Sequence, residues 1–505
     1  MLSRSFLPES ERSGVLAYTP MFHARLFTSD QKYRDSHFQP TREPLAPPSS
    51  SSPPPTNPPA PFLDGNPATD RPLFVQFCAN DPDSLLAAAR IVAPHCDAVD
   101  LNLGCPQGIA RKGHYGAFLQ EDQDLIFRLI NTLHKNLDIP VTAKIRILET
   151  REATLAYAQN VLRAGASILT VHGRRREQKG HLTGLADWET IRWLRDQLPP
   201  DTVMFANGNI LEYDDLETCL AVTKTDGVMS ADSNLSNPGI FAAPPPPGQE
   251  GRDYWRGKDG KGGWRVDEVF RRYLDIIYTT QGKAPPTRKP LFLPGDDEAW
   301  LATPAELSQN KAREPPRKKR RDDGAKGDEP APAVRSPNVV GMQAHLFHLL
   351  RHLVSVHTDV RNVLARAGMG SLETFEAILA LVEEKIARGL LDYERTNGES
   401  MNEYLKVTGV EGVDEAEGSV GTLRRCKRPW WVVQPIIRPL PIEALAKGAI
   451  RPSKKDQKKE EAKKGENTSD KQIAAKGKEN TNGTEDKVNV LKRKTSFAES
   501  DLVSG

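Results

Sequence analysis

The chain has 505 residues, enough for about two or three domains, and its 69 Lys and Arg nearly balance 67 Asp and Glu, so any polyanion partner would need a local basic patch. The five cysteines are scattered without a CxxC pair, which argues against a disulfide framework or a zinc site and is typical of reduced thiols inside cells. With no paired cysteines we expect no metal site. No run of about 18 apolar residues occurs and the N-terminus lacks the apolar core of a secretory signal, so we also expect no membrane span.

Four segments have compositions that cannot bury enough apolar surface to fold. They are the Pro/Ser-rich insertion 39–61, the proline- and glycine-rich linker 243–263, the polar insertion 282–337, and the Lys/Glu/Asn-rich tail 452–505. We predict that the insertion 282–337 and the tail are disordered. The remaining chain divides into a region 1–242, a region 264–396 and a C-terminal extension 397–451.

Seven short apolar or β-branched segments recur in the region 1–242, and stretches with helical period follow most of them. The seven are LAYTPM from Leu16, LFVQFCA from Leu73, AVDLNLGC from Ala98, VTAKIRIL from Val141, ILTVHGR from Ile168, VMFANGNI from Val203 and DGVMSA from Asp226. Segments 121–137 and 150–164 carry apolar residues at helical spacing. This alternation predicts parallel strands joined by crossover helices.

Polar residues recur at the ends of these strands. They are Gln76, Asn102, Cys105, Lys144, Arg146, His172, Arg174 and Asn207. In a barrel all of these strand ends meet at one rim, where catalytic groups collect. We therefore predict an α/β chain with a (β/α)8 TIM barrel whose first βα unit is missing. An open doubly wound sheet is the alternative, and the lack of a GxGxxG after the early strands weakens it.

The region 264–396 is predicted to be an all-helical domain. Segment 345–368 carries a leucine stripe at helical spacing and ends at a glycine. The next segment begins at Ser371 as its N-cap and ends at Gly389. Together with segment 266–278, these helices would form a small bundle.

Cys105 is the first candidate catalytic residue. Gly104 removes bulk beside its thiol, and Pro106 restricts the chain just beyond it. A cysteine in such a place could simply be a buried small apolar residue, since free cysteines are often buried. A protonated thiol is otherwise a proton donor, and it becomes a nucleophile only where a base or a cation activates it.

Lys144 and Arg146 lie two residues apart and so share one face of a strand whose other face is apolar. Inside a barrel that face points inward, where unpaired cations are costly, so we expect an anionic or electron-rich ligand. His172 and Arg174 would add further donors at the same rim.

The last two strands end in ANGNI at 206–210 and MSADSNLSNPGIF at 229–241. Loops after the seventh and eighth strands of many barrels bind a phosphate through backbone N–H groups. Glycine and asparagine tolerate the tight backbone conformations that such a loop needs. These segments therefore predict a phosphorylated cofactor at the mouth of the barrel.

Several of these motifs, in order, resemble the tRNA-dihydrouridine synthase family. They are DLNLGCPQGIARKGHYGAFLQED, VTAKIRI, LTVHGRRREQKG, FANGNI and GVMSADSNLSNP, and the resemblance extends to HLFHLLRHLVSVHTDVR and PWWVVQPIIRP. The form GCPQGIARKGHYGAFL is similar to the eukaryotic subfamily that acts on D-loop uridines 16 and 17. The resemblance covers about residues 16–241, apart from the Pro/Ser-rich insertion.

The resemblance implies a flavin enzyme on a barrel with a helical tRNA-binding domain. In that family reduced FMN gives a hydride to C6 of a uracil, a cysteine gives a proton to C5, and NADPH (or NADH) restores the flavin. By position, Cys105 would be the acid, and Asn102, Arg146 and Arg174 would bind the substrate base. The cofactor would contact Gln76, Lys144 and His172, with its phosphate on Asn207, Gly208, Asn209, Ala231 and Asp232. A base inside folded tRNA must be flipped out to reach such a site.

Two positions depart from the family pattern. Ser233 stands where the family usually has glycine after an acidic residue. The family's first strand, which ends in Ala-Pro-Met, is also missing, because residues 1–14 contain Pro8 and few β-branched residues. We therefore expect an N-terminally truncated form with open edges on the second and eighth strands.

Two other functions remain possible from the sequence. One is a non-catalytic tRNA-binding protein on a decayed barrel, and the other is a dihydroorotate or dihydropyrimidine oxidoreductase, which would need no helical tRNA-binding module. We expect a monomer located in the cytoplasm, the nucleus or both. RKKRR at 317–321 could be a nuclear localisation signal, a tRNA contact or a solvated charge run.

Overall fold

The structure is a computed structural model that describes residues 1–45, 60–301, 337–368, 371–410, 418–446 and 448. The basic run 317–321, the tail 452–505 and most of the Pro/Ser-rich insertion lie outside these residues. Within them, no helix is both long and apolar enough to cross a membrane. The same part of the chain contains no group of three or more His, Cys, Asp or Glu side chains that could hold a metal ion.

The first region is one curled sheet in which every strand pair is parallel. Its strands are β1 Ala17–Tyr18, β2 Phe22–His23, β3 Leu73–Cys78, β4 Ala98–Asn102, β5 Val141–Arg146, β6 Ile168–His172, β7 Val203–Asn207 and β8 Gly227–Met229. All seven predicted strands are present, and the first is divided into β1 and β2 at Pro20, which has no N–H for the ladder. Both pieces pair with β3.

The strands follow one another in chain order around the sheet, as β1-β3-β4-β5-β6-β7-β8. A doubly wound sheet reverses its strand order at a switch point, and this sheet has no reversal, so the (β/α)8 architecture is confirmed. Within the described ranges β1 and β8 do not pair with each other, so the sheet is open between them.

Helices cover the outer face of the sheet. They are α1 Ala24–Ser29, α2 Gln31–His37, α3 Pro82–Val92, α4 Gly108–Gly113, α5 Gln123–Asn136, α6 Arg151–Arg163, α7 Trp188–Gln197, α8 Asp214–Thr223 and α9 Asp232–Ser236. Helices α3, α5, α6 and α7 begin after a side chain that accepts a hydrogen bond from the backbone N–H three residues later. These N-caps are Asp81, Asp122, Thr150 and Asp187.

Residues 1–14 form no strand, as predicted; they fold into two 3-10 turns, Ser3–Phe6 and Glu9–Gly14. The Arg4 guanidinium donates to the carbonyl oxygens of Val15 (2.7 Å) and Pro72 (2.6 Å), beside β1 and β3. The Ser3 hydroxyl donates to Asn234 of α9 at 2.9 Å, beyond β8. This segment therefore contacts both flanks of the open side of the sheet.

The second region is a helical bundle with its own core. Its helices are α10 Val266–Thr280, α11 Pro337–Leu349, α12 Arg351–Val356, α13 Thr358–Ala367 and α14 Leu372–Arg395. The predicted helix 345–368 is divided where Leu350 and His357 leave helical backbone angles. The prediction that the next helix ends at Gly389 was wrong. A Cβ on this residue would lie 2.6 Å from the Trp430 ring, so Gly389 allows close packing in the middle of α14.

The stretch 243–263, which we expected to be a linker, contains an antiparallel hairpin of β9 Tyr254–Arg256 and β10 Gly262–Trp264. Its aromatic residues explain the difference, because Trp255 packs edge-on against Tyr393 of α14 and Trp431 of the C-terminal extension. Part of the predicted insertion is also ordered, and its Leu291 and Phe292 are buried.

The C-terminal extension contains α15 Asn402–Leu405, α16 Val420–Cys426 and α17 Pro441–Ala446. Between α16 and α17 it runs along the hairpin, where the Val433 N–H donates to the Trp264 carbonyl oxygen at 2.9 Å. It is also attached to the barrel, since Arg428 pairs with Glu212 at 2.8 Å. Barrel, bundle and extension are therefore joined by direct contacts.

Candidate active site

The predicted strand-end residues meet at one rim of the sheet. The register places Asn102 beside Lys144, Arg146 beside His172, and His172 beside Asn207 on adjacent strands. Parallel strands with this register carry their terminal side chains to one end of the barrel. The polar residues that the sequence singled out therefore line a common site.

Cys105 lies in a turn just after β4 and is 7% exposed. The N–H groups of Gly104 and Cys105 donate to Asn102 Oδ1 at 3.0 and 2.9 Å. On the other side, the Ala117 N–H donates to the Cys105 carbonyl oxygen at 3.0 Å. The turn is thus held from both sides, and the thiol has a defined position at the rim.

Gly116 closes the turn around Cys105. Its φ of +63° is in the left-handed region, and a Cβ there would lie 2.8 Å from the Cys105 carbonyl oxygen and 2.9 Å from its Cβ. Only glycine can occupy this position without displacing the cysteine. The sequence signal was available, since Gly116 belongs to the glycine-rich run after Cys105.

Three cations lie at the rim. Burial lowers the pKa of each, and the neighbouring Arg146 also lowers that of Lys144; the values are about 8 for Lys144 and about 10 for Arg146 and Arg174. Within the described residues the Lys144 ammonium has no hydrogen-bond or ion-pair partner. A buried cation in this state is costly, which favours an anionic or electron-rich ligand beside it.

The two arginines also hold neighbouring loops. Arg146 donates from Nε to the Gly104 carbonyl oxygen at 2.6 Å, next to Cys105. Arg174 donates to Asn209 Oδ1 at 2.7 Å. Both were predicted to bind substrate, and each has a structural bond to a neighbouring loop besides its remaining N–H groups.

His172 is neutral at this site, since burial and the adjacent cations keep its pKa well below the usual range. Its Nε2 lies 3.1 Å from the Arg174 guanidinium, which can only donate, so Nε2 accepts and Nδ1 carries the proton. This Nδ1 is buried and has no partner among the described residues. His172 therefore offers an unused N–H donor at the rim.

The loop after β7 has the tight backbone that the sequence predicted. Gly208 and Asn209 have φ of +108° and +62°, and a Cβ on Gly208 would lie 2.7 Å from Ala186. The Gly208 carbonyl oxygen accepts a hydrogen bond from Trp188 at 2.9 Å. Asn207 donates to the Met229 carbonyl oxygen at 2.9 Å and so connects the two loops. The loops are therefore preformed.

In the loop after β8, Ala231 precedes α9 and Asp232 begins it. The exposed Asp232 carboxylate pairs with Arg438 of the C-terminal extension at 3.1 Å. Ser233, which departs from the family pattern, is buried and lies within α9 without a positive φ, so its side chain strains no backbone. Arg438 was missed from the sequence, because no local pattern connects it to the barrel.

Two buried residues of the site were also missed, Asp100 and Thr142. They lie two residues before Asn102 and Lys144 and therefore share the inward face of β4 and β5. The Asp100 carboxylate accepts hydrogen bonds from Gln76 Nε2 (2.7 Å) and Thr142 Oγ1 (2.6 Å). The signal was the alternation of polar residues in DLN and TAK, within strands that are otherwise apolar.

The site thus combines a thiol in a fixed turn with, among the described residues, an unpartnered ammonium, an unpartnered imidazole N–H and a preformed glycine-containing loop. Such a set can hold an electron-rich ring through donors and a phosphate through backbone N–H groups. The flavin that the sequence resemblance implies has both parts, so the residues present fit it.

Comparisons with known proteins point to one family. A family model described as dihydrouridine synthase matches residues 4–251. A Saccharomyces cerevisiae protein named tRNA-dihydrouridine(16/17) synthase, NAD(P)(+), is 40% identical over 433 residues, which cover 85% of this chain and 80% of the relative. A Schizosaccharomyces pombe protein of the same name is 39% identical over 452 residues, 88% of each chain. A Mus musculus protein, whose name adds "-like", is 33% identical over 453 residues, 90% of this chain and 69% of the relative.

Proposed function

The chain belongs to the dihydrouridine synthase family, and on that premise we propose that it reduces uridine to 5,6-dihydrouridine in the D-loop of tRNA, at positions 16 and 17, with FMN as cofactor and NADPH or NADH as reductant. The relatives' names support the tRNA substrate, the uridine positions and the reductant. The observation that carries the proposal is the position of Cys105 in a fixed turn beside the Lys144 and His172 donors.

The proposed cofactor contacts follow from the unused polar groups. Lys144 and the Nδ1–H of His172 would donate to the flavin ring, with Gln76 beside them, and the backbone of Gly208 and Asn209 would bind the phosphate together with the loop after β8. A bound flavin would supply the hydride that reaches C6 of the uracil. Lys144 would stabilise negative charge on the ring, since its ammonium has no hydrogen-bond or ion-pair partner among the described residues.

Cys105 would supply the proton. Its thiol would protonate C5 of the uracil, and the resulting thiolate would regain a proton from solvent before the next turnover. Arg146 and Arg174 would bind the substrate through their free N–H groups. Asn102 would retain one N–H for the base, because its oxygen and its other N–H are used within the protein.

The helical bundle would bind the body of the tRNA, while the reacting uridine is flipped into the barrel. We also propose that the protein is located in the cytoplasm or the nucleus. The five cysteines support this location, since all are free thiols, as is usual in reducing compartments.

The test is a comparison of Cys105→Ala with Cys219→Ala, in which a buried cysteine of α8 far from the rim is removed. Dihydrouridine would be measured by mass spectrometry in tRNA that lacks the modification, together with flavin content and the rate of flavin reduction by NADPH. We expect Cys105→Ala to retain flavin and its reduction, but to form dihydrouridine at least about 10²-fold more slowly, as is typical when a general acid is removed.

Cys219→Ala should keep wild-type turnover. Wild-type turnover in Cys105→Ala would refute the acid role. A wild-type protein that binds tRNA and flavin without forming dihydrouridine would instead refute the enzyme activity.

A further inference from the structure

An unbroken row of hydrogen bonds connects the barrel core to the Cys105 turn. Thr142 Oγ1 donates to Asp100 Oδ1 (2.6 Å), and Gln76 Nε2 donates to Asp100 Oδ2 (2.7 Å). Asn102 Nδ2 donates to Gln76 Oε1 (2.7 Å), and Asn102 Oδ1 accepts from the Cys105 N–H (2.9 Å). The four side chains come from β3, β4 and β5, and each is at most 6% exposed.

The direction of this row is set from both ends, because Asp100 accepts at the inner end and the Gly104 and Cys105 N–H groups donate at the outer end. Both Asp100 oxygens accept hydrogen bonds, so Gln76 turns its NH2 group toward Asp100. Its oxygen then faces Asn102, which must donate from its own NH2 group. The oxygen of Asn102 is thereby left to face the N–H groups of Gly104 and Cys105. Reversal of either amide would bring two donors or two acceptors together in a buried site.

We propose that Asp100 is a positioning residue for Cys105, because its carboxylate holds the Gln76 and Asn102 amides in this orientation from the inner end and so helps to keep an acceptor against the Cys105 turn. The meaning for catalysis rests on the proposed function, but the effect on the turn does not. An amide or a hydroxyl at position 100 could face either way, so the inner end would no longer hold the row and only the Gly104 and Cys105 N–H groups would resist its reversal.

Burial of the Asp100 carboxylate costs desolvation free energy. Asp100 is fully buried, and burial raises its pKa, while the hydrogen bonds from Thr142 and Gln76 and the charge of Lys144 lower it. A neutral side chain would avoid the desolvation cost. A carboxylate only accepts hydrogen bonds, whereas an asparagine of the same shape can also donate them.

The experiment uses the full chain and measures amide hydrogen exchange by mass spectrometry in peptides that contain Gly104 and Cys105. Asp100→Asn and Gln76→Met should each increase exchange there by about five- to tenfold, as for loss of a hydrogen bond near 1 kcal/mol. Since Asp100 acts through Gln76, the double variant should exchange no faster than the faster single variant.

Thr142→Val is the matched control. It removes the other hydrogen bond of the same buried carboxylate, but leaves the amide row intact, so exchange at the turn should stay within about twofold of wild type. Turnover should follow the same order, with kcat lowered in Asp100→Asn and the KM for tRNA unchanged, because a displaced acid slows chemistry more than binding.

The proposal is overturned if Asp100→Asn leaves exchange at the turn unchanged, if the double variant multiplies the two single effects, or if Thr142→Val loosens the turn equally. Peptides from β6 report global unfolding. If Asp100→Asn proves to be unfolded, the test rests on Gln76→Met, which keeps the carboxylate. Unchanged hydrogen exchange at the Cys105 turn in Gln76→Met would then overturn the proposal. Failure of the tRNA activity itself would leave the exchange results standing.

Discussion

Gly116 fits against Cys105 so closely that a single methyl group should move the catalytic residue. We predict that Gly116→Ala lowers kcat for dihydrouridine formation by at least about tenfold, since a misplaced catalytic group can cost about 10²-fold. Stability should fall by about 1–2 kcal/mol, because alanine is strained at φ +63°. Turnover and chemical denaturation would measure the two effects.

Gly282→Ala is the control that separates backbone strain from displacement of Cys105. Gly282 also has a left-handed backbone, with φ +71°, but an added Cβ there would meet nothing within 4 Å. This variant should lose similar stability and keep wild-type kcat. Equal turnover in both variants would contradict a role for Gly116 at the Cys105 turn.

The buried charge of Lys144 should lower the free energy of unfolding when no ligand is bound. We predict that Lys144→Met stabilises the flavin-free protein at pH 7 by up to about 3 kcal/mol, because the lysine pKa falls from 10.5 to about 8 in the folded chain. The same variant should no longer retain flavin. Lys32→Met, at an exposed position of α2, should change neither property.

The pH dependence of this stability difference has a definite sign. Below pH 8 Lys144 is charged in both states, and the folded state bears the full desolvation cost. As the pH rises from about 8 toward 10.5, the folded lysine loses its proton first, so wild-type stability rises relative to the Met variant. Denaturant unfolding at pH 7 and pH 9.5 should therefore show a smaller difference at the higher pH; a constant difference would contradict the assignment.

How far the sequence predicted the site depends on the range of each contact. Cys105, Lys144 and His172 could be found because residues at the ends of parallel strands must meet at one rim. The hydrogen bonds from the Cys105 turn to Asn102 could not be predicted from the sequence, because they depend on how the Asn102 amide is oriented in the folded chain. Thr142 and Asp100 lie inside strands that the sequence predicted, and only the three-dimensional register shows that they bond to each other.

At the scale of elements, strand and helix periodicity predicted the order of the barrel correctly. The errors came from contacts between distant parts of the chain. Gly389 looked like a helix end, but the ring of Trp430 packs against it in the middle of α14. The hairpin β9–β10 was predicted as a linker because four neighbouring prolines and several glycines dominate its composition. Its aromatic residues, which pack on the bundle, were not given weight.

The extension between α16 and α17 places one further cation at the mouth of the barrel. We predict that Arg438→Gln weakens binding of FMN by about two- to tenfold, because the unpaired Asp232 carboxylate would then repel the phosphate. Binding of riboflavin, which has no phosphate, should be unchanged. Fluorescence titration with both flavins at low salt would measure the difference.

Arg395→Gln is the control, since Arg395 forms an exposed ion pair with Glu298 away from the barrel. It should affect neither flavin. An equal decrease in FMN and riboflavin affinity in Arg438→Gln would show that Arg438 stabilises the loop and does not act on the phosphate.

At the scale of the whole molecule, binding of tRNA should depend on which basic residues of the bundle are already paired. Lys385 pairs with Asp359 at 2.8 Å and Arg388 with Glu384 at 2.9 Å. Arg351 and Arg361 are exposed and form no ion pair within the described ranges. We predict that Arg351→Gln with Arg361→Gln lowers tRNA affinity and reduces the slope of log K against log salt by about 1 for each phosphate that these arginines no longer neutralise.

The matched double variant Lys385→Gln with Arg388→Gln should change the slope less, since both cations already have carboxylate partners. Binding isotherms at several salt concentrations would compare the two. If the paired residues proved as important as the unpaired ones, or if neither double variant changed the slope, the tRNA would have to bind elsewhere on the molecule.

The ion pair between Asp232 and Arg438 joins residues that are 206 positions apart in the chain. During synthesis at about 5–20 residues per second, the last barrel strand is made about 10–40 s before Arg438. Every strand-end residue of the site is thus present early, while the cation beside the phosphate loop arrives after the bundle. A nascent chain is therefore an incomplete enzyme over that interval, and any flavin that it captures early would bind before this charge is in place.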